Sequence, residues 1–297
     1  MRTRPSSRLV RAVLALAWGI AAFATPPRLA PVLAGVLALT LSMPAAAAPM
    51  PTRYLAMGDS LAWGDGASDP ATTAYVPLFA DYVAGMPHGG AKVLSNLAVR
   101  GETTASFIGG GQLSAALASI ADPSTDIRVV TLSLGGNDVG SLLNDPTDIC
   151  LQDPTSIHCQ LLVAEALQGA ATRYPVILGS IMAALQQDEG DERVFVMTVY
   201  NPFGGLGGPY EEAIDRVLLG SDGRIDCATA AVDPLAGGLN DIIACTAFAL
   251  GATVVDAYPV IGDRALALTH IGEGTLDTHP NDDGYALLAR AHRLAAR

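Results

Sequence analysis

The chain has 297 residues, of which 50% are hydrophobic and 15% are charged, and this composition excludes an intrinsically disordered protein. Its formal net charge of −12 disfavours nucleic acid as a partner, because an acidic surface repels the phosphate backbone. The length fits one α/β domain with a substantial core.

The amino terminus is predicted to be a secretory leader covering residues 1–47. It contains five arginines and no acidic residue, followed by two apolar runs and a stretch of alanines. A basic start, an apolar run and small residues are typical of a signal peptide, and Ala45-x-Ala47 favours cleavage after Ala47. We therefore expect a secreted domain over residues 50–297 with no membrane span once the leader is removed. An N-terminal membrane anchor is the alternative, although neither apolar run reaches the ~20 residues of a spanning helix.

Predicted strands and helices alternate along the rest of the chain. Short apolar runs predict strands at 53–57, 92–97, 128–134, 193–200 and 253–256. Helices are predicted at 71–84, 112–121, 161–187, 237–250 and 282–296. This alternation predicts an α/β fold, in which a doubly wound, mostly parallel five-stranded sheet lies between two layers of helices as a three-layer α/β/α sandwich.

Two local features of these helices can be predicted as well. The helix at 161–187 is expected to be interrupted near Tyr174-Pro175, because proline disfavours helix in the residue before it. The last helix is expected to be capped by Asp282 or Asp283.

The first predicted strand ends abruptly in Gly58-Asp59-Ser60. In open parallel sheets, ligands bind beyond the carboxyl ends of the strands, where helix N-termini offer unpaired N–H groups to an anion. Ser60 is therefore a candidate nucleophile, and an ordinary helix cap is the alternative. The Gly-x-Ser-x-Gly frame of a nucleophile elbow is absent, which disfavours an α/β-hydrolase fold.

Other polar segments could complete a catalytic site with this serine. His279 could take the proton of Ser60, with Asp277 orienting the imidazole. The backbone N–H groups of Ser60 and Gly101 and the side-chain amide of Asn137 could form an oxyanion hole. For Asn137 an ordinary turn is the alternative, and for His279 a surface position; the other histidines are expected to be structural or exposed.

These segments, in this order, resemble the SGNH hydrolases, also called the GDSL lipase/esterase family. Ser60 matches the nucleophile block, Gly101 the second block, Asn137 the Gly-x-Asn-Asp block and His279 the final His-Pro. The resemblance covers about residues 54–297. It implies a flavodoxin-like sandwich that hydrolyses esters through an acyl-serine, with no metal or cofactor.

One spacing departs from the family pattern. The family usually spaces its last carboxylate and histidine as Asp-x-x-His, whereas Asp277-Thr278-His279 is one residue shorter. Either the Asp277 carboxylate or a backbone carbonyl near Thr275 or Leu276 could orient His279, and we favour Asp277 because a carboxylate two residues before a histidine can reach it in a turn.

The four cysteines are an even set, as expected for disulfides in an exported chain, and three pairings are possible. Short loops favour Cys150 with Cys159 and Cys227 with Cys245. A cysteine-based metal site is the alternative, although no Cys-x-x-Cys spacing exists.

The expected function is that of a secreted serine esterase or lipase, active as a monomer on a small-molecule, lipid or acylated-carbohydrate ester. One alternative is a non-catalytic secreted protein that binds carbohydrate or lipid on the same fold. Another is a metallophosphoesterase, which would need several histidines that are missing near Asp59 and Asn137. Four aromatic residues are candidates for lining an acyl pocket, with core packing as the alternative: Trp63, Tyr75, Phe79 and Phe107.

Overall fold

The structure of the protein is a computed structural model that describes residues 50–297 except 87–89, 141, 143–148, 187–191, 222, 229–235 and 276. The predicted leader lies outside the described residues. In the part of the chain that is described, no helix combines the length and the apolar character needed to cross a membrane.

Five parallel strands form the central sheet. They are β1 (Thr52–Gly58), β2 (Val93–Asn96), β3 (Asp126–Ser133), β4 (Arg193–Met197) and β5 (Thr253–Val255). Their spatial order is β2-β1-β3-β4-β5, which is the flavodoxin-like doubly wound order. The predicted fold class is confirmed. In this topology the strand order reverses between β1 and β3, so a binding crevice is expected beyond the carboxyl ends of these two strands.

Helices connect and cover the strands. They are α1 (Ser60–Trp63), α2 (Tyr75–Ala84), α3 (Thr104–Gly109), α4 (Gln112–Ile120), α5 (Gly136–Gly140), α6 (Ile149–Gln152), α7 (Ile157–Leu185), α8 (Pro209–Leu219), α9 (Leu239–Ala249), α10 (Tyr258–Ile261), α11 (Ala265–Leu268) and α12 (Asp282–Ala295). Short 3-10 helices at Gly262–Arg264 and His270–Glu273 flank α11.

The sheet separates two apolar cores. Successive side chains of a strand point to opposite faces, so Leu55 and Met57 of β1 join the core beneath α7, while Tyr54 packs with Phe79 of α2 on the other face. Because both faces are covered, the central strands β1 and β3 are buried along most of their length. This arrangement fixes the strand ends that hold the polar segments.

Three of the four aromatic candidates for an acyl pocket belong to these cores instead. Tyr75, Phe79 and Phe107 are fully buried, whereas Trp63 is about half exposed at 48%. The core alternative therefore holds for the three buried rings.

Helix α7 differs from its prediction, since it runs without interruption through Pro175. Proline in a helix removes one backbone hydrogen bond and costs roughly 3 kcal/mol. Tyr174, Ile177 and Leu178 are fully buried around the proline, and burial of large apolar side chains at roughly 1.5–3 kcal/mol each offsets that cost. The predicted break is wrong because tertiary packing outweighs the local preference.

The cap of α12 is a second correction. Asn281, and not Asp282 or Asp283, accepts a hydrogen bond from the Gly284 N–H at 3.0 Å. The Asp282 carboxylate instead accepts hydrogen bonds from Ser68 and Thr73 in the loop that precedes α2.

Two disulfides close short loops. Cys150 in α6 pairs with Cys159 in α7, and Cys227 pairs with Cys245 in α9. Both are the pairings that the loop lengths favour. Because all four cysteines are oxidised, the cysteine-based metal site is wrong.

Candidate active site

Ser60 is the first residue of α1 and lies directly beyond β1. Gly58 has a φ of +126°, and a Cβ added there would lie 1.8 Å from the Ser133 carbonyl oxygen at the end of β3. Only glycine permits this approach. The Asp59 N–H donates to the same carbonyl at 3.0 Å, so the turn that presents Ser60 is bound to the neighbouring strand.

Asp59 caps the helix that begins at Ser60. Its buried carboxylate accepts a hydrogen bond from the Leu61 N–H at 3.0 Å and another from the Ser133 hydroxyl at 3.2 Å. Burial raises the pKa of Asp59 to about 7, although both hydrogen bonds oppose the shift. Both hydrogen bonds of this carboxylate hold the turn that carries Ser60. We therefore assign Asp59 a structural role and not that of a catalytic base.

Ser60, His279 and Asp277 form a continuous hydrogen-bonded chain. Nε2 of His279 lies 2.8 Å from the Ser60 hydroxyl oxygen, and Nδ1 lies 2.5 Å from Oδ1 of Asp277. The same carboxylate oxygen accepts the backbone N–H of His279 at 3.0 Å. Partial burial would raise the pKa of Asp277, but hydrogen bonds from the backbone and ring of His279 outweigh it and hold this pKa below its usual value. The shortened spacing thus still lets the carboxylate reach the imidazole.

The loop that carries His279 is held from two sides. Thr269 and Pro280 form an isolated antiparallel bridge, next to a hydrogen bond from the His270 N–H to the His279 carbonyl at 3.1 Å. From beyond the end of β4, the Tyr200 hydroxyl donates to the Thr278 carbonyl at 2.7 Å. These contacts keep the imidazole beside the Ser60 hydroxyl.

Gly101 and Asn137 are linked through Glu102, the residue that follows Gly101 in the chain. The Asn137 side-chain amide donates to the Glu102 carbonyl at 3.0 Å. Gly101 is exposed and has a φ of +73°, a backbone conformation that favours glycine. An amide nitrogen carries two N–H bonds, so the bond to Glu102 leaves a second donor on Asn137 for a ligand.

Asn137 lies in α5 and not in an ordinary turn. The next residue, Asp138, accepts hydrogen bonds from the Thr104 backbone at 2.8 Å and from Arg173 of α7 at 3.2 Å. These contacts fix α5 against two neighbouring helices, and with it the Asn137 amide.

Gln112 is a buried residue beside Gly58 and Glu102 that was not predicted from the sequence. Its side-chain oxygen accepts the Gly58 N–H at 2.7 Å, and its side-chain nitrogen donates to the Gly58 carbonyl at 3.0 Å and to the Glu102 carboxylate at 2.5 Å. Gln112 thereby joins the nucleophile turn to the loop of Gly101 and Glu102. A glutamine at the start of an alanine-rich helix carries no sequence signal that distinguishes it from a solvent-exposed residue.

Among the described residues, the other three histidines make no hydrogen bond to the Ser60 side chain. His158 is exposed and His292 is fully buried, which agrees with the prediction that these histidines are structural or exposed. His88 lies outside the described residues. His270 lies half-buried beside the His279 loop. Within the described ranges, no three His, Cys, Asp or Glu side chains cluster in the way metal ligands do.

The fold and the sequence together define an ester hydrolase. The chain belongs to the GDSL-like Lipase/Acylhydrolase family, whose model matches residues 56–287. A search among curated proteins found no significant match.

Solved structures of similar fold include a lipase, a phospholipase and an esterase. The extracellular lipase of Streptomyces rimosus is 22% identical with a TM-score of 0.54, and the match covers 82% of this chain and 99% of that one. Phospholipase A1 of Streptomyces albidoflavus is 19% identical with a TM-score of 0.53, covering 83% and 100%. An acetylxylan esterase of Geobacillus stearothermophilus is 16% identical with a TM-score of 0.50, covering 82% and 93%. At these identities the likeness shows the shared fold.

Proposed function

We propose that the protein is a secreted serine esterase that hydrolyses carboxylic esters through an acyl-serine intermediate. The observation that carries this proposal is the hydrogen-bonded chain from Ser60 through His279 to Asp277 at the carboxyl edge of the sheet. The family supports hydrolysis of esters as the reaction class. The leader-like amino terminus and the two disulfides support secretion.

In the first half of the reaction, the Ser60 oxygen attacks the ester carbonyl carbon while Nε2 of His279 takes the hydroxyl proton. The carbonyl oxygen becomes an oxyanion, which the N–H groups of Ser60, Gly101 and Asn137 stabilise. Asp277 holds the imidazole with Nδ1–H toward itself and stabilises the imidazolium. The intermediate collapses when His279 returns the proton to the leaving alkoxide, so an alcohol departs and the acyl group stays on Ser60.

The second half repeats the same steps with water. His279 removes a proton from a water molecule, and the hydroxide attacks the acyl carbonyl. The oxyanion forms again in the same site, the Ser60 oxygen leaves with the proton from His279, and the carboxylic acid is released. Over the two halves, one ester and one water become one alcohol and one carboxylic acid, and Ser60 and His279 return to their starting protonation states.

The direct test is loss of the nucleophile. Ser60→Ala is expected to fold with an unchanged melting temperature and to lose essentially all hydrolysis of a short p-nitrophenyl ester, because the hydroxyl contributes little to the core and is the attacking group. Ser114→Ala, at an exposed position of α4, is the matched control and is expected to keep full activity.

Covalent labelling locates the nucleophile independently. An organophosphate is expected to label Ser60 alone, as read by peptide mass spectrometry. Labelling of Ser133 instead would refute the assignment. Pure wild-type protein that turns over no ester would favour the non-catalytic binding alternative.

An apolar pocket supports an acyl chain as part of the substrate. A cavity of about 320 Å³ begins at Val139, two residues beyond Asn137 on α5, and extends between α7 and α8. Its apolar walls include Val163, Leu167 and Val217. The volume is at the lower end of the roughly 300–1,000 Å³ that ligand pockets occupy. Ser60 is not among the lining residues, so an acyl chain would leave the nucleophile along α5 to enter it.

Filling this pocket is expected to change chain-length preference. Ala213→Trp, on the α8 wall, is expected to lower kcat/KM for an octanoyl or longer ester by about tenfold or more and to spare an acetyl ester, because only the longer chain needs the volume. Ala118→Trp on the exposed face of α4 is the control. Equal losses for acetyl and octanoyl esters would contradict the pocket assignment.

A further inference from the structure

His270 occupies a position that the proposed mechanism does not use. Its backbone N–H donates to the carbonyl of His279, and its carbonyl accepts the Thr275 hydroxyl at 2.9 Å. The Thr275 oxygen in turn accepts the N–H of Asp277 at 3.2 Å. The main chain of His270 therefore touches both ends of the segment that carries Asp277 and His279.

The ring of His270 connects this segment to the nucleophile side of the site. Nε2 lies 2.7 Å from the Gly66 carbonyl oxygen, in the turn that follows α1. Gly66 has a φ of +84°, and a Cβ added there would lie 2.8 Å from the Cβ of His279. The Gly66 turn is thus packed directly against the base of the His279 side chain, and His270 fastens it there.

Both ring nitrogens of His270 face groups that can only accept hydrogen bonds. Nε2 faces the Gly66 carbonyl, and Nδ1 lies 3.0 Å from a carboxylate oxygen of Glu273. A neutral imidazole has one N–H and can satisfy one of these partners, whereas the imidazolium has two and satisfies both. The observed geometry is that of the charged ring.

The charges around His270 agree with this protonation state. Glu273 and Asp277 face it from its own segment, and Asp282 and Asp283 come from the start of α12, while the Gly66 turn contributes its carbonyl. The hydrogen bond to Gly66, followed by that to Glu273, raises the pKa of His270, although partial burial opposes the shift. The side chain is 23% exposed at the edge of an open cavity, so its proton exchanges with solvent.

We propose that His270, as an imidazolium, is a positioning residue that clamps the Gly66 turn against the His279 loop and keeps His279 in line with Ser60. This inference rests on the proposed esterase function. When His270 loses its proton, the remaining N–H stays with the charged carboxylate of Glu273 and the hydrogen bond to the Gly66 carbonyl is lost, so the clamp loosens and turnover falls. His279 must itself be neutral to accept the Ser60 proton, and activity should decline at alkaline pH when His270 loses its proton.

The kinetic test is the pH profile of kcat and KM for p-nitrophenyl acetate between pH 5.5 and 9.5. The wild type is expected to show an alkaline decline in kcat with little change in KM. His270→Gln keeps one N–H toward Gly66 at every pH, so its kcat should stay within about threefold of wild type and the alkaline decline should disappear. His270→Ala should lose about tenfold in kcat at all pH values with KM unchanged, because His279 is misplaced while substrate binding is intact.

Controls separate the clamp from a merely structural role. His158→Gln, an exposed histidine on α7, is expected to keep the wild-type profile. Glu273→Gln removes one carboxylate from the ring and should move the alkaline decline to lower pH. A decline that persists unchanged in His270→Gln, or its absence from the wild type, overturns the proposal. Should His270→Gln fail to fold, a decline that does not move in Glu273→Gln overturns it.

A measurement without turnover keeps this proposal distinct from the esterase assignment. The Ser60→Ala variant lacks the proposed nucleophile and is used without substrate. NMR titration of its histidine ring resonances is expected to show that the His279 signals change as His270 loses its proton. That response should vanish in Ser60→Ala/His270→Gln. Its persistence in the double variant contradicts the clamp, whereas failure of the esterase proposal would appear only in the wild-type turnover.

Discussion

Asp277 is the site residue whose role depends most on local geometry. Its carboxylate contacts both the ring and the backbone N–H of His279, and the side chain is 44% exposed. A backbone carbonyl could fix the tautomer of the imidazole, but only a carboxylate also stabilises the imidazolium formed during attack. The contacts therefore favour Asp277 over a carbonyl as the orienting partner.

Asp277→Asn is expected to lower kcat by about 10³-fold or more with a small change in KM, because both charge and tautomer control are lost. Steady-state kinetics with a short p-nitrophenyl ester measures the effect. Asp81→Asn, the same change at an exposed position of α2, is the matched control and is expected to keep full activity. A loss below about tenfold in Asp277→Asn, with His279→Ala inactive, would show that another acceptor orients the ring.

Substitutions of Asn137 and Gln112 are expected to lower activity for different reasons. Asn137→Ala removes a proposed donor and is expected to lower kcat by about 10²-fold or more with KM little changed. Gln112→Ala leaves all donors present but frees the Gly58 turn from Glu102, so it should lower both kcat and the melting temperature. Unequal responses of the melting temperature in the two variants distinguish donor from support. A loss confined to KM in Asn137→Ala would contradict its role.

At the residue scale, the sequence predicts candidates that carry reactive groups and misses those that hold them. Ser60 is recognisable because it follows the end of a strand, and both Ser60 and His279 fall in a known order of blocks. Gln112 is not recognisable, because its function depends on which backbone groups a fold places within 3 Å of an ordinary amide. His270 is hidden for the same reason.

At the scale of elements, periodicity predicts the strands well because buried parallel strands are continuous apolar runs. The helix α8 and the short helices between β5 and α12 were not predicted. Helix α8 begins at Pro209 directly after a glycine-rich loop, and these loop-forming residues masked the helical spacing of its apolar side chains. Local preferences also failed at Pro175, where packing decides, and at Asn281, where the competing Asp282 has partners far away in sequence.

The two disulfides tie segments outside the sheet to the covering helices α7 and α9. They span 9 and 18 residues of sequence, and loops of this size correspond to roughly 2–4 kcal/mol each in the unfolded state. Cys227→Ser/Cys245→Ser is expected to lower the free energy of unfolding by about this amount, measured by urea denaturation. Adding a reductant to the wild type should lower its melting temperature further, because it removes both cross-links. A melting temperature that does not respond to reductant would contradict a stabilising role.

At the scale of the whole molecule, two buried groups with opposite shifts govern how stability depends on pH between about 4 and 6.5. Burial raises the pKa of Asp59 to about 7, so the folded state holds a proton that the unfolded state has lost. Stability from Asp59 is complete below the ordinary value of 3.8 and is lost as pH rises through about 7.

His292 behaves in the reverse sense. It is fully buried against Tyr75 in the core between α2 and α12, and burial lowers its pKa to about 4, although a hydrogen bond to the Leu288 carbonyl opposes the shift. The unfolded chain therefore takes up a proton that the folded chain rejects. Stability from His292 is complete above the ordinary value of 6.5 and is lost as pH falls through about 4.

These opposing slopes predict a wild type whose stability changes little across this range. Each of these pKa differences between the folded and unfolded states corresponds to roughly 3–4 kcal/mol of stability. The two contributions have opposite signs and nearly cancel. Asp59→Asn leaves only the His292 slope, and its free energy of unfolding should rise with pH. His292→Phe leaves only the Asp59 slope, and its free energy of unfolding should fall as pH rises from 4 to 6.5. The double variant should again be nearly flat, since neither group then titrates. Urea denaturation at half-unit pH steps measures all four slopes, and parallel slopes in the two single variants would show that these groups do not control the acid response.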